Sequence, residues 1–337
     1  MYNDLRMKSL TASYLFFIVL FGTPIFAFAQ ANLTPNSFLQ NINATISPEI
    51  PGANEQVTID IQDYSIDLNG AMIVWSINGK KITSGTGMTQ FIFQTGNVGV
   101  TSDVKATITP SGSPSFTKDF IFIPSNINLI WEAQTYTPPF YEGKALFTDQ
   151  SQMTVAALPT FVQNGKVVPK ENLVYTWKLN GDILQTKSGY GKYFASIVGG
   201  FFGGLQVVEV DASSADGTLQ GSATATINPS QTQIVVYQNH PLFGILTNNA
   251  IVNSFQMTDK ESSFVAEPFY FSRNFSVAPD MTLNWSVNGA PAGAGANGNM
   301  ITLRQNSTQN GTSAVFVTAT HNTKTSQQAQ TQFSISY

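Results

Sequence analysis

Three short segments of the chain share one pattern of apolar and polar positions. Each segment reads apolar-x-Trp-x-apolar-Asn-Gly without a gap, at residues 73–79, 175–181 and 283–289. The apolar positions recur with period two, so the Trp and its apolar neighbours share one face of a β-strand. The Asn-Gly pair favours positive φ angles and predicts a tight hairpin turn after each strand. The pattern therefore predicts three strands that each carry a core residue: Trp75, Trp177 and Trp285.

The spacing of these segments divides the chain into repeats. The three tryptophans follow one another at intervals of roughly a hundred residues, which is an ordinary domain length. Alternating strands end near Pro124 and Pro229, and a proline cannot donate a hydrogen bond to a sheet ladder. We therefore predict domains at residues 38–124, 125–229 and 230–337.

The second and third repeats also share a segment upstream of the Trp that the shorter first repeat lacks. It is anchored by Pro-Phe-Tyr at 139–141 in the second repeat and by Pro-Leu-Phe at 241–243 in the third. Downstream of each Trp, a short apolar strand, a Gly-containing loop and two alternating strands follow in the same order. No helical periodicity of useful length occurs after residue 30. The pattern predicts an all-β protein.

Many short strands, regular turns and a Trp on a central strand in units of about a hundred residues indicate immunoglobulin-like β-sandwiches. Through its Trp-x-apolar-Asn-Gly strands, the chain resembles the tandem Ig-like and polycystic-kidney-disease-like (PKD-like) repeats of bacterial surface proteins over about residues 38–337. The inter-sheet disulfide of antibody domains is absent, since the chain has no cysteine. The segment at 131–145 also resembles uncharacterised exported proteins of candidate-phylum bacteria, and this likeness implies no activity.

The first thirty residues read as an export signal. Arg6 and Lys8 precede an apolar run at 15–21, and Ala-Phe-Ala at 27–29 is a pattern that signal peptidase accepts. We predict a signal peptide at 1–29, with cleavage after Ala29, and a linker at 30–37. An uncleaved membrane anchor is the alternative, but the run falls short of the ~20 residues of a spanning helix. The prediction is a protein at the cell surface, in the periplasm or outside the cell, without a membrane span after residue 29.

Composition excludes several function classes. Charged residues make up 11% of the chain, against roughly 25% in a typical soluble domain. The net charge of −4 disfavours nucleic acid as a partner, because binding it requires a basic surface. Without cysteine, thiolate chemistry and iron–sulfur clusters are excluded, and the two histidines, His240 and His321, cannot form a three-histidine metal site. We expect no cofactor.

Motifs for catalysis are weak, and we predict no catalytic residue and no metal site. Residues 293–298 satisfy G-x-G-x-x-G, but a strand is predicted after them. The dinucleotide fingerprint requires a helix at that position. Acidic residues form two clusters in the sequence, and a pair of carboxylates could act as a hydrolase uses them. The first cluster is Asp60, Asp63 and Asp67, and the second is Asp259, Glu261 and Glu267. Asp211 and Asp216 flank a turn that could hold calcium. Solvated turn residues are the alternative interpretation of that pair.

Two aromatic features occupy positions where loops usually carry polar residues. Phe201 and Phe202 lie between paired glycines in a loop that the other repeats fill with polar residues. Tyr136, Phe140 and Tyr141 are interleaved with prolines. The phenylalanine pair is a candidate site for a partner or a membrane surface, with packing against a neighbouring domain as the alternative. The second group is a candidate for stacking on sugars or binding a chain, with packing between strands as the alternative.

These observations predict an exported, non-enzymatic protein that acts as a structural or adhesive module at the cell surface. Its expected partners are other cell-surface proteins or polysaccharide. A carbohydrate-binding accessory protein, using the aromatics of the second repeat, is the first alternative. A carboxylate-dependent hydrolase is a more remote one.

Overall fold

The computed structural model describes residues 42–201, 203–273, 280–293, 298–306 and 309–337. The predicted signal peptide and linker lie outside the described residues, as does Phe202. Within the described residues, the chain is built almost entirely from antiparallel strands, with one short 3₁₀ turn at Lys170–Asn172. No helix in this part of the chain is long and apolar enough to span a bilayer. The prediction of an all-β chain of three tandem sandwiches is confirmed.

The first sandwich contains seven strands. One sheet has the order β1-β2-β5, and the facing sheet, which carries Trp75 on β3, has the order β4-β3-β6-β7. The strands are β1 (Asn43–Ser47), β2 (Gln56–Gln62), β3 (Met72–Ile77), β4 (Lys80–Thr86), β5 (Gln90–Gln94), β6 (Ser102–Thr109) and β7 (Phe116–Phe122).

The second sandwich repeats this arrangement. A sheet of order β15-β9-β8 faces a sheet of order β13-β12-β16-β17, and the short β14 also pairs with β12. A small hairpin, β10-β11, follows β9. The strands are β8 (Asn126–Ala133), β9 (Gln152–Thr160), β10 (Val162–Gln163), β11 (Lys166–Val167), β12 (Leu173–Leu179), β13 (Asp182–Ile183), β14 (Gly189–Tyr190), β15 (Phe194–Val198), β16 (Gln206–Ser214) and β17 (Gln220–Ile227).

The third sandwich has a wider pair of sheets. Their orders are β19-β18-β21-β24 and β20-β26-β25-β22-β23, with β20 parallel to β26. The strands are β18 (Gln233–His240), β19 (Gly244–Ile251), β20 (Ser254–Gln256), β21 (Glu261–Phe269), β22 (Met281–Val287), β23 (Ala290–Ala292), β24 (Met300–Arg304), β25 (Thr312–His321) and β26 (Gln328–Ser336). The additional strand β19 forms a hairpin with β18, and its tip is the Pro-Leu-Phe segment of the third repeat.

A tryptophan occupies the same place in each core. Trp75, Trp177 and Trp285 are 0%, 0% and 3% exposed, and each belongs to a separate apolar cluster. Each indole Nε1 donates to a backbone carbonyl further along its own repeat, at 2.8–3.0 Å. The acceptors are Met88, Lys192 and Gly298. A buried indole thus fills the core without an unsatisfied donor.

The Asn-Gly turn that follows each of these strands is also built in one way. In all three turns both residues take positive φ, for example 53° at Asn180 and 89° at Gly181. The Asn180 side-chain oxygen accepts a hydrogen bond from Val207 N, and Asn180 N donates to Val207 O. Asn78 and Asn288 make the same pair of bonds in their repeats. The asparagine therefore ties the turn to the strand beside the tryptophan strand.

Replacement of Trp177 tests how far the second core depends on its indole. Trp177→Ala should lower the free energy of unfolding of the second sandwich by about 3–5 kcal/mol, because it leaves a large cavity. Trp177→Phe keeps most of the ring but loses the bond to Lys192 O, so it should cost less. Chemical denaturation followed by circular dichroism measures both, and equal stabilities for the parent and the Ala variant would contradict this description.

Candidate functional site

The segment that follows β8 pairs with the third sandwich. Tyr136 N donates to Phe271 O, and Tyr270 N donates to Tyr136 O, both at 2.7 Å. An isolated antiparallel bridge joins Thr135 to Ser272, and beyond it Arg273 N donates to Gln134 O at 3.0 Å. The second repeat therefore extends its chain alongside the residues that follow β21 and pairs with them as a short strand would.

The aromatic side chains of this segment continue the contact. The Phe140 ring meets Tyr237 edge-on at 5.4 Å between ring centroids, and Tyr141 meets Phe269 in the same way at 5.4 Å. The Tyr141 hydroxyl also hydrogen-bonds to that of Tyr270 at 2.9 Å. The structure thus places Phe140 and Tyr141 in the junction between the second and third sandwiches.

This contact explains an anomaly of burial on β21. The residues of β21 that face the core include Phe264 and Ala266. On the opposite face, Val265, Glu267 and Phe269 point away from that core, yet they are also buried. Segment 134–141 of the second repeat covers this outer face. The extra segment recognised in the sequence is therefore an interdomain cover.

A carboxyl group lies beneath this cover. Glu267 is 6% exposed, and its Oε2 accepts a hydrogen bond from the Tyr136 hydroxyl at 3.0 Å. Burial raises the pKa of Glu267, and the bond from Tyr136 offsets part of that rise. Burial, followed by the nearby Glu267 charge, raises the pKa of Tyr136 to about 12. The Arg273 guanidinium lies 5.8 Å from the Tyr136 ring centroid and places a positive charge near this pair.

A second polar contact joins the two sandwiches through Gln327, in the turn before β26. Its side-chain amide nitrogen donates to Asp149 O at 2.7 Å and contacts Thr148 Oγ1 at 3.3 Å. Its oxygen accepts from Ser272 N at 2.7 Å. Gln327 is 1% exposed, so one buried amide satisfies groups from both sandwiches. Sequence reasoning missed Gln327, because a glutamine in a polar turn carries no signal of burial.

The glycine-rich loop of the second repeat contacts residues 147–151 of the same repeat through Gly199 and Gly200. Gly199 N donates to Ser151 O, and Gln150 N donates to Gly200 O. A Cβ on Gly199 would come 2.1 Å from Cζ of the buried Phe147. The loop thus supports residues 147–151, which in turn contact the third sandwich.

The candidate phenylalanines of this loop are described only in part. Phe201 is 49% exposed, and it engages in a contact within the protein. Phe202 lies outside the described residues. An interaction role for the pair therefore stays a prediction.

The candidate carboxylates occupy separate structural positions. Asp63 and Asp67 accept hydrogen bonds from the backbone of their own turns. Asp259 and Glu261 lie at one end of the outer face of the third sandwich, whereas Glu267 lies beneath the cover. The structure does not bring these last three together as a set.

The turn considered for calcium is held by its own hydrogen bonds. Asp216 Oδ1 accepts bonds from Ser214 and Thr218, and the Ser214 hydroxyl bond in particular lowers the pKa of Asp216 to about 2. Asp211 forms an ion pair with Lys178 at 2.8 Å. No group of three or more His, Asp or Glu residues suited to a metal ion occurs in the described part of the chain.

The two histidines serve local turns. His240 Nδ1 accepts from Leu242 N at 3.1 Å, in the hairpin between β18 and β19. His321 Nδ1 accepts from Thr323 N at 3.2 Å, and burial lowers the pKa of His321. Neither bond involves a serine or a carboxylate.

Comparison with known proteins finds only distant structural likenesses among the solved structures reported below. No protein-family model matches the chain, and no curated protein matches it. Several of the solved structures that match are arrays of immunoglobulin or fibronectin-III-like domains. The chain's own strand order and its three separate cores make it a tandem Ig-like β-sandwich protein.

Three of these structures illustrate the likeness. The three N-terminal domains of the bacteriophage RB49 outer capsid protein Hoc are 13% identical, with a TM-score of 0.24, over 88% of this chain and 98% of theirs. The central fibronectin-III array of RIM-binding protein is 10% identical, with a TM-score of 0.28, over 88% and 95%. SGBP-B from the Bacteroides ovatus mixed-linkage glucan utilization locus, solved with a heptasaccharide, is 11% identical, with a TM-score of 0.23, over 88% and 71%. The likeness concerns the fold alone.

Two adjacent glycines offer a matched test of the loop that supports the junction. Gly199→Ala should lower the free energy of unfolding by about 1–3 kcal/mol, because the new Cβ overlaps the packed Phe147 ring. Gly200→Ala meets nothing within 4 Å and should change stability by less than about 0.5 kcal/mol. Thermal unfolding measures both variants, and an equal loss in the two would show that Phe147 does not fix this loop.

The covered carboxyl group predicts a pH dependence with a defined sign. The pKa of Glu267 is raised in the folded protein, so its contribution to stability is greatest at acidic pH and declines as pH rises through that pKa. Tyr136→Phe removes the bond that offsets the shift, so the decline should steepen and stability at neutral pH should fall by about 1–2 kcal/mol.

Tyr141→Phe is the control for this experiment. It also removes an interdomain hydroxyl bond, to Tyr270, but it leaves the bond to Glu267 in place. Urea unfolding between pH 4 and pH 8 should therefore show an altered pH profile only for Tyr136→Phe. Identical profiles for the parent and both variants would contradict the assignment of Glu267 as the responsible group.

Proposed function

We propose that the chain is an exported, non-enzymatic structural or adhesive module at the cell surface, related to the Ig-like and PKD-like repeats of bacterial surface proteins. The observation that carries the proposal is the junction between the second and third sandwiches. Backbone pairing, aromatic contacts and a buried amide hold these two domains together. Phe140 and Tyr141 of the second repeat pack in this junction. Such an arrangement suits a protein that presents a surface at a fixed spacing.

The distribution of polar and charged groups supports the same proposal. Four of the carboxylates considered for a hydrolase pair have structural partners: Asp63 and Asp67 in local turns, Glu261 in an ion pair and Glu267 in the junction. The sequence between residues 1 and 29 supports export, and the low content of charged residues disfavours nucleic acid as a partner. Other cell-surface proteins and polysaccharide are the partners that we propose.

Export is tested by expressing the full chain with a C-terminal tag in a bacterial host. The exported product should begin at Gln30, as read by intact mass spectrometry, because Ala27 and Ala29 provide the small residues of the cleavage site. The double variant Ala27→Lys/Ala29→Lys should retain its first 29 residues. A parent chain that remains in the cytoplasm at full length would contradict the proposal.

Adhesion is tested with purified residues 30–337 and isolated envelopes of the cells that carry the gene. The protein should sediment with the envelopes without releasing soluble sugars or peptides from them. Protein that stays in the supernatant, or that degrades the envelope, would contradict a non-enzymatic role at the surface.

A further inference from the structure

The outer face of the third sandwich is exposed at the start of β21 and buried towards its end. The cover from the second repeat contacts Glu267 and Phe269 near the end of the strand. Towards the start of the strand, Glu261 and Ser263 remain outside the cover, and both have accessible surface. An open cleft of about 840 Å³ lies at this uncovered end. It spans β18, β21 and β24, which are neighbours in one sheet.

Strand register aligns polar side chains across the cleft. Asn239 on β18 lies opposite Ser263 on β21, and Ser263 lies opposite Thr302 on β24. The Ser263 and Thr302 hydroxyls lie 2.7 Å apart and hydrogen-bond to each other. Glu261 and Arg304 form the next outward pair and are joined by an ion pair. The face thus presents an amide, two hydroxyls and a carboxylate–guanidinium pair in two adjacent rows.

The charges that line the cleft balance one another. Asp259 and Glu261 are matched by Lys260 and Arg304. His240, which also lines the cleft, accepts a hydrogen bond at Nδ1 from the backbone N–H of Leu242. A cleft without net charge gives no long-range attraction to an ion, but it offers many donors and acceptors to a neutral ligand.

An aromatic edge borders these polar rows. The Phe243 ring lies 4.8 Å from the His240 ring, with 30° between their planes. Phe243 is 75% exposed and its neighbour Leu242 82% exposed, at the tip of the hairpin between β18 and β19. An aromatic face carries negative partial charge, so it attracts the polarised C–H groups on the flat face of a sugar ring.

Hydroxyl-rich polar rows beside an exposed aromatic face are complementary to carbohydrate. A pyranose without acidic or amino substituents presents hydroxyl groups around its rim and C–H groups on its face, and it carries no charge. We infer that this cleft of the third sandwich binds a neutral polysaccharide, with Phe243 as the stacking residue and the row from Asn239 to Thr302 as its hydrogen-bonding groups. The inference rests on the proposed function as an extracellular module and names its ligand class. It also places the sugar site in the third repeat, since the corresponding aromatics of the second are packed in the junction.

The test uses affinity electrophoresis of residues 30–337 in gels that contain a soluble β-glucan, xylan or mannan. At least one of these polysaccharides should retard the protein. Phe243→Ala should weaken that binding by about tenfold or more, because the stacking face is lost. Tyr64→Ala is the control, since Tyr64 is an aromatic residue of the first sandwich that is 95% exposed. Both side chains are exposed, so neither variant should unfold.

Thr302→Val provides a second readout, because it removes one hydroxyl from the polar row and leaves Phe243 in place. It should also weaken polysaccharide binding, whereas Tyr64→Ala should not. Equal retardation of the parent, Phe243→Ala and Thr302→Val would overturn the assignment of this cleft. Failure of all three polysaccharides to retard the parent would also overturn it.

Treated envelopes separate this inference from the proposed function. Periodate, which cleaves the vicinal diols of sugars, should abolish sedimentation with the envelopes, and protease treatment should not. If protease abolishes it and periodate does not, the partner is a protein; the sugar inference is then wrong while the adhesive function stands. If the protein never sediments with untreated envelopes, the proposed function itself fails.

Discussion

Each sandwich depends on one buried indole whose N–H is satisfied within its own repeat. A large aromatic ring on a central strand packs against both sheets and stabilises the sandwich by its burial. A buried N–H without an acceptor would offset much of that stabilisation. The acceptor is the carbonyl of Met88 in the first sandwich, Lys192 in the second and Gly298 in the third. Because the acceptor follows the Trp by little more than a dozen residues, the bond also fixes the course of the chain that crosses to the facing sheet. The Asn-Gly turn secures the other end of the same strand.

The contact between the second and third sandwiches adds a further level of organisation. Residues 134–141 leave the second sandwich and cover the outer face of β21, so an apolar surface on the third sandwich is completed by the second repeat. The first and second sandwiches meet in another way, at Gly99, where an added Cβ would come 2.6 Å from Cβ of Val162 in the second repeat. The second and third repeats are therefore coupled through side chains of both. A change in the cover should alter the stability of both sandwiches.

The periodic features of the fold could be predicted from the sequence. The tryptophan strands, their turns and the all-β class follow from alternation and from Asn-Gly, which act locally and recur three times. The extra segment at 139–141 could be recognised as a repeat feature, but its role could not. Its burial depends on which residues of β21 point outwards, and the run of apolar and polar residues at 264–269 does not distinguish a covered face from an exposed one.

The polar parts of the candidate sites were harder still to predict. Gln327 and Glu267 look like surface residues in the sequence, and only the docking of two domains makes them buried. The alignment of Asn239, Ser263 and Thr302 depends on the register of three strands that are far apart in the chain. No local signal carries such a register, since these residue types are common throughout this chain.

The central claim is that residues 134–141 pair with the third sandwich as part of the folded protein. Amide hydrogen exchange tests it directly, because Tyr136 N and Tyr270 N donate only across this junction. In residues 30–337, both amides should exchange slowly, as Trp177 N and other amides bonded inside a sandwich do. Exchange at both positions as fast as in an unstructured peptide, with Trp177 N still protected, would show that the junction is not formed in solution and would contradict the account.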